Sequence, residues 1–202
     1  MIYDTRENDQ YSGKQIIIYK NILQLYRQFY RRDIMQNINI NTASEEIITI
    51  DDQQYVTFLI DEETYGIAVG KVKEIIGMIE ITHVPNTAYF MEGVINLRGI
   101  VVPVLDMRKK FQMEPKKYDT NTVIIIVELG GKLIGLIVDS VSDVLNIPAN
   151  SIQTTPNFNS KIETDFIRGI GQIENSMIII LDSDKILSTE EIKTVDSVND
   201  AP

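Results

Sequence analysis

Residue types able to carry chemistry are few in this chain, and their spacing argues against catalysis. The single histidine, His83, sits in ITHVP between β-branched residues and a proline. With no second imidazole, no thiolate and no serine elbow to serve, it reads as a structural or surface histidine. Cysteine is absent, which excludes disulfides, thiolate metal sites and cysteine nucleophiles. The glycines of GIGQIEN and ELGGKLIG supply neither of the spacings that cradle phosphates. Acid pairs Glu62-Glu63 and Glu190-Glu191 could be drawn as glycosidase carboxylates, but they fall in a turn and a late helix, where charge serves as a solvated face. The expectation is therefore no catalytic residue, no metal and no cofactor. Function must come from binding.

The elements that would position a binding surface are written twice. FMEGVINLRGIVVPVLDMRKKF, residues 90–111, returns as FIRGIGQIENSMIIILDSDKIL, residues 166–187. Gly93 answers Gly169, Leu97 answers Ile173, and Leu105 and Asp106 answer Leu181 and Asp182. The first copy differs mainly at Asn96, Arg98 and Gly99, and Arg98 has Glu174 as its counterpart. Upstream, FLIDEETYGIAVGKVKEII from Phe58 matches VELGGKLIGLIVDSVSDVL from Val127 at one constant offset, pairing Gly66 with Gly135, Val69 with Val138 and Glu74 with Asp143. The offset grows between the two blocks, which places a longer connection in the second copy, in the polar run 148–165. Two copies are too few for an open solenoid, which needs about three or more. Two fused, related lobes are expected, with shared positions as scaffold and unshared ones as function.

Pattern along the chain fills in the elements. YVTFLI and YGIAV, separated by a short acidic turn, read as a hairpin, and TVIIIVEL and KLIGLIV around Gly130-Gly131 as a second, more secure one. KVKEII is long enough for a turn or two of helix, and MRKKF suits a short helix. Pro103 cannot donate to a strand ladder, so its strand should lie at an edge or hold a bulge. The run Val123 to Val127 offers no wet face and should be covered on both sides. Residues 183–195 read as a helix, with Ser188 and Glu191 in capping-box spacing. The predicted fold is mainly β: two small five-stranded barrels side by side, the first at about 54–117 and the second at about 120–187, with short helices, a C-terminal helix and a loose tail at 191–202.

Composition sets outer limits. With 202 residues, 44% apolar and 24% charged, the chain is ordinary for a soluble globular protein. The net charge of −10 argues against nucleic acid, whose phosphates demand Lys and Arg. No apolar run approaches the roughly 18 residues that span a bilayer, and no secretory leader is legible, so a cytoplasmic protein without membrane insertion is expected. Residues 1–50 do not resemble the rest. Their basic, aromatic-rich segment 16–32 reads as an amphipathic docking helix or, by preference, as a disordered or poorly packed tail. A third reading comes from back-translation: Arg31-Arg32-Asp33-Ile34-Met35 can be encoded by a ribosome-binding sequence followed by a start codon, which would make Met35 the native first residue.

In combination, the V-x-E-I turn at Val72 to Ile75, G-V-x-N-L-R-G at Gly93 to Gly99, V-P-V-x-D at Val102 to Asp106 and V-D-x-V-S-D-V at Val138 to Val144 closely resemble the CheW family of bacterial chemotaxis coupling proteins. The resemblance runs from about Gln54 to Leu187. It implies two SH3-like β-barrels and a non-catalytic adaptor. The adaptor would hold the regulatory domain of the histidine kinase CheA beside the cytoplasmic tips of chemoreceptors (methyl-accepting chemotaxis proteins) at receptor arrays. By the same resemblance a receptor helical hairpin would lie in an apolar groove mapping onto Val72, Thr122, Val123, Ile134 and Gly135, with Glu74 and Arg98 as polar positions of partner contact. Gly93 belongs to the same partner-binding set. For Val72 and Val123 core packing is an equal reading, and Gly93 and Gly135 could serve backbone geometry alone. Phe158 resembles an aromatic used in ring contacts with CheA or other CheW copies. Gln153 stands where relatives carry a basic residue, so a salt bridge is not expected there. The competing expectation is a structural component that fills receptor rings without engaging kinase.

Overall fold

Gly130 and Gly131 adopt φ of +56° and +81°, the left-handed pair that a two-residue type I′ turn demands, and the strands on either side pair in full antiparallel register from Leu129↔Lys132 to Val123↔Val138. This hairpin, β6 (Val123–Leu129) and β7 (Lys132–Val138), is one of two that the sequence repeat relates. The other is β1 (Gln54–Ile60) with β2 (Glu63–Ala68). The computed structural model describes residues 54–153, 165–173, 176–188 and 190–192, all within the compact unit Ile50–Pro202. The readings for residues 1–50, Met35, Phe158 and the tail beyond 192 lie outside the described residues.

The remaining strands are β3 (Val72–Gly77), β4 (Met91–Leu97), β5 (Ile100–Asp106), β8 (Ser140–Asn146), β9 (Ile152–Gln153), β10 (Ile167–Ile173) and β11 (Ser176–Leu181). They form two sheets, ordered β8-β1-β2-β11-β10-β9 and β3-β6-β7-β5-β4. The molecule is thus mainly β with two related sheets, as the repeat predicts; the first holds six strands because the two-residue β9 pairs with β10.

Sheet membership does not follow chain order. The β1–β2 hairpin of the first copy joins β8 and β10–β11 of the second, while the β6–β7 hairpin of the second joins β3 and β4–β5 of the first. Each sheet therefore mixes the segments 54–117 and 120–187, in place of one barrel per segment. The exchange is symmetric: β2 pairs parallel to β11 through Gly66↔Ile180, and β5 pairs parallel to β7 through Val104↔Gly135. The repeated glycines sit at these joins because the backbone there meets side chains closely. A Cβ on Gly135 would lie 2.8 Å from Ile124 Cγ2, and one on Gly66 would lie 3.2 Å from Ile178 Cγ2 and Ile180 Cδ1.

Three local expectations change. KVKEII is strand β3 preceded by a 3-10 turn, Val69–Lys71, since pairing with β6 outweighs any helical preference. Pro103 lies in an interior strand, but β5 begins pairing with β7 only at Val104, so the missing N–H falls where that side is open. Of the predicted C-terminal helix, Ser183–Lys185 is a 3-10 turn and residues 190–192 are helical. The capping box is present: Glu191 N donates to Ser188 Oγ at 3.2 Å, and Ser188 N donates to Glu191 Oε2 at 2.8 Å.

The core is aliphatic in the five-stranded sheet, while in the six-stranded sheet Tyr55 packs with Ile147, Ile178 and Ile180. Ile124, Ile126, Val102 and Val104 are fully buried in one cluster, and each isoleucine contributes about 1.5–3 kcal/mol by leaving water. Val123 to Val127 are all buried, as the run without a wet face predicts. Phe58, Tyr65, Phe111 and Phe166 stack in series with ring centroids 6.0, 5.2 and 4.8 Å apart. They tie the β1–β2 hairpin to the segments flanking β5 and β10. Burial, reinforced by Glu63 and Asp61, pushes the Tyr65 hydroxyl up to about 12.

Candidate functional site

The β4–β5 turn carries Arg98 at φ +54° and Gly99 at φ +89°. Glycine meets that geometry freely, whereas an arginine in the left-handed region is uncommon and costs on the order of 1 kcal/mol. The turn is held by Gly99 N donating to Asn96 Oδ1 at 2.7 Å. Arg98 Nη2 then reaches Glu74 Oε1 at 2.7 Å. Glu74 comes from β3, just past a register shift between Val72 and Glu74 that re-aims the strand.

β3 and β4 are the two edges of the five-stranded sheet. The Glu74–Arg98 pair therefore links one edge strand, β3, to the turn at the end of the other, β4. Its members differ in access: the Arg98 side chain is 65% exposed and that of Glu74 20%. An exposed pair stabilises by about 0–1 kcal/mol, so the Arg98 guanidinium is only weakly committed to Glu74. Ile100 and Val101, the first residues of β5, stand beside this turn, 54% and 52% exposed. A guanidinium with two bare aliphatic side chains next to it is the composition of an interface anchor.

The other expected contact residues are placed differently. Val72, Thr122, Val123 and Ile134 are buried at 2%, 4%, 8% and 2% exposure, and Gly135 is buried with them. Val72 and Ile134 both face Val127 across the sheet, while Val123 faces Val138. Thr122 Oγ1 accepts from Asp119 N at 3.0 Å. Their side chains pack inward, which for Val72 and Val123 is the core alternative left open at the sequence level. Gly93 has φ +145°, and a Cβ there would penetrate the Thr82 carbonyl. That carbonyl accepts from Val94 N at 2.9 Å and holds the 78–90 loop against β4. Gly93 thus serves backbone geometry. Gln153 is exposed on β9, and Phe158 lies outside the described residues. His83 is exposed, with Nδ1 3.4 Å from Glu92 O.

The short helix expected at MRKKF is present as α1 (Met107–Lys110), capped by Asp106 Oδ1 accepting from Lys109 N at 3.2 Å, but its ion pairs were not legible in the sequence. Each of its three cations has a distant acid. Arg108, only 11% exposed, donates to Asp139 through Nε and Nη2, and to Asp61 at 3.0 Å. Lys109 pairs with Glu92. Lys110 pairs with Glu191 at 2.6 Å while lying 4.4 Å above the Phe90 ring. Hydrogen bonds from Arg108 push its own pKa upward, chiefly through Asp139. Burial opposes ionisation of Asp139, yet hydrogen bonds from Arg108 and from Asp61 N hold its carboxyl below the ordinary range. One signal could have exposed this network: at the repeat offset Arg108 answers Asp184, a reversal of charge between copies. Among the described residues no cluster of His, Asp and Glu could hold a metal ion, and no helix is long and apolar enough to cross a membrane.

Comparison with known proteins follows the same outline. A family model described as "CheW-like domain" matches residues 54–191. The chain is 41% identical over 146 residues to "Chemotaxis protein CheW" of Klebsiella aerogenes, covering 72% of this chain and 88% of that one. It is 32% identical over 138 residues to "Chemotaxis protein CheW" of Bacillus subtilis, covering 68% and 88%. Among solved structures it resembles the scaffolding protein TtCheW from Thermoanaerobacter tengcongensis. The TM-score is 0.64 with 37% sequence identity, over 69% of this chain and 94% of that one.

Proposed function

The chain belongs to the CheW-like domain family, and from that membership we propose that it is a chemotaxis adaptor coupling the cytoplasmic tips of chemoreceptors to the histidine kinase CheA. It works at receptor arrays and catalyses no reaction itself. Its contribution is effective concentration: fixing two partners on one body makes their encounter intramolecular, and avidity can rise by about 10²–10⁴ without a new contact.

The observation that best supports this reading is the Glu74–Arg98 pair on a strained, exposed turn beside Ile100 and Val101. Arg98 offers five donors in a planar fork suited to a partner carboxylate, and Glu74 holds that fork in place beforehand. Val72, Thr122, Val123, Ile134 and Gly135 act from beneath the surface, setting the spacing of the strands that a receptor helix would lie against. Phe158 and other copies of the chain enter as ring contacts.

Reconstitution of CheA autophosphorylation with receptor, with and without this chain, tests the proposal. Wild type should stimulate the kinase; Arg98→Glu should keep the fold by circular dichroism and lose most of the stimulation. Unchanged stimulation by Arg98→Glu would overturn the assigned role of Arg98. Receptor capture without any kinase capture would favour a ring component that does not engage kinase.

A further inference from the structure

Among the described residues the chain passes from one sheet to the other twice: after β2 through Val69–Lys71, and after β7 through Asp139. The two passages occupy equivalent places in the repeat, since Gly70 answers Asp139 at the offset that relates Gly66 to Gly135. Each is bridged to the short helical turn that follows a hairpin, β4–β5 in one case and β10–β11 in the other, and the bridges carry opposite polarity. At one, the cation Arg108 stands on the helix and the anion Asp139 on the passage. At the other, the anion Asp184 stands on the turn Ser183–Lys185 and the cation Lys71 on the passage, 2.8 Å apart.

Equivalent in place, the two differ in strength. Arg108 and Asp139 are 11% and 14% exposed. Asp139 is further tied by its own N–H to Leu59 O at 3.1 Å and by accepting from Asp61 N at 2.9 Å. Lys71 and Asp184 are 40% and 54% exposed. The turn Val69–Lys71 has no buried residue and no side-chain cap, and a Cβ on Gly70 would meet nothing within 4 Å. Buried pairs with several hydrogen bonds resist rupture, whereas exposed pairs contribute little and are screened by salt. Glycine adds backbone freedom at the same spot.

We infer that the two sheets are hinged on one side only: the β2–β3 passage at Gly70 flexes, while the β7–β8 passage, clasped by Arg108, Asp139 and Asp61, is the fixed pivot. β3 begins at the flexing passage, so the motion reaches Glu74 and through it Arg98. This concerns the free chain and stands or falls independently of the partner reading.

Amide hydrogen exchange on the full chain, with denaturant melts of the same variants, tests it. Asp184→Asn should raise exchange along Lys73 to Ile76 by about 2–5-fold, the reach of an exposed ion pair, and leave the melting midpoint unchanged. High salt should do the same to wild type. Gly70→Ala, which the open space accepts, should slow exchange there by restricting the backbone. Asp139→Asn should lower the midpoint of the whole chain and raise exchange in both sheets together. The hinge is overturned if Asp184→Asn leaves β3 exchange unchanged, if Gly70→Ala fails to slow it, or if Asp184→Asn and Asp139→Asn act alike.

Discussion

An arginine held at φ +54° is retained against its own backbone preference, and such strain is a reason to look for function at that residue. Asparagine tolerates the left-handed region better and has no guanidinium. Arg98→Asn should therefore fold with a denaturation free energy within about 1 kcal/mol of wild type, relief of strain offsetting the lost ion pair, while kinase stimulation falls. Comparing melts with the coupled kinase assay checks both halves. Gly93 makes the opposite case. A methyl group there would meet the Thr82 carbonyl, and one on Gly169 would meet the Gln153 carbonyl 2.5 Å away. Both Gly93→Ala and Gly169→Ala should cost about 2–3 kcal/mol in denaturant melts; a Gly93→Ala variant that loses partner binding at full stability would restore a direct contact role. The basic residue at the β4–β5 turn was legible in the sequence, whereas its contact with Glu74 was not: the family resemblance marked both as polar positions without pairing them with each other. Inward packing of Val72 and Val123 was one of two readings left open, and the run 123–127 already implied burial; that Ile134 faces inward was not legible, because a strand covered on both faces shows no alternation to tell one side from the other.

Helix α1 is a single turn, too short to be stable alone, yet its three cations anchor four ion pairs that reach β1–β2, β4, β7–β8 and the C-terminal segment. Asp139 and Glu191 both have carboxyl pKa values held low in the fold, burial opposing and Arg108 or Lys110 prevailing. A carboxylate whose folded pKa lies below its unfolded value adds stability that is complete above the unfolded pKa, about 4, and is lost as pH falls through the folded pKa. Wild type should thus lose stability steeply below about pH 4. Asp139→Asn should be less stable at neutral pH and show a shallower acid limb, measurable as denaturation midpoint against pH; an unchanged acid limb would remove Asp139 from the acid response. The hairpins and the short helix MRKKF could be read from alternation and turn chemistry. KVKEII could not, because its strand identity depends on pairing with β6, some 50 residues onward.

At the scale of the molecule the internal repeat was plain, but its spatial use was not: sequence similarity marks which segments are alike and is silent about which sheet each joins. Exchange of the two hairpins makes the halves interdependent. The segment 120–187 supplies β8, β10 and β11 but lacks the β1–β2 hairpin that lies between β8 and β11; 54–117 supplies β3, β4 and β5 but lacks β6–β7 between β3 and β5. Each half alone would expose both central edges of a broken sheet and the apolar faces that the missing hairpin covers. Fragments 51–118 and 119–192 made separately should therefore lack dispersed amide resonances, and mixed at equimolar ratio they should assemble into one species with a native-like spectrum and a single melting transition. If either fragment folds by itself, each half forms its own barrel and the exchanged pairing of β1–β2 and β6–β7 is wrong. If both stay unfolded when mixed, the linkage at 112–122 contributes more than chain continuity. Stimulation of the kinase by the reassembled pair would then separate the geometry that presents Arg98 from the covalent path that links its two sheets.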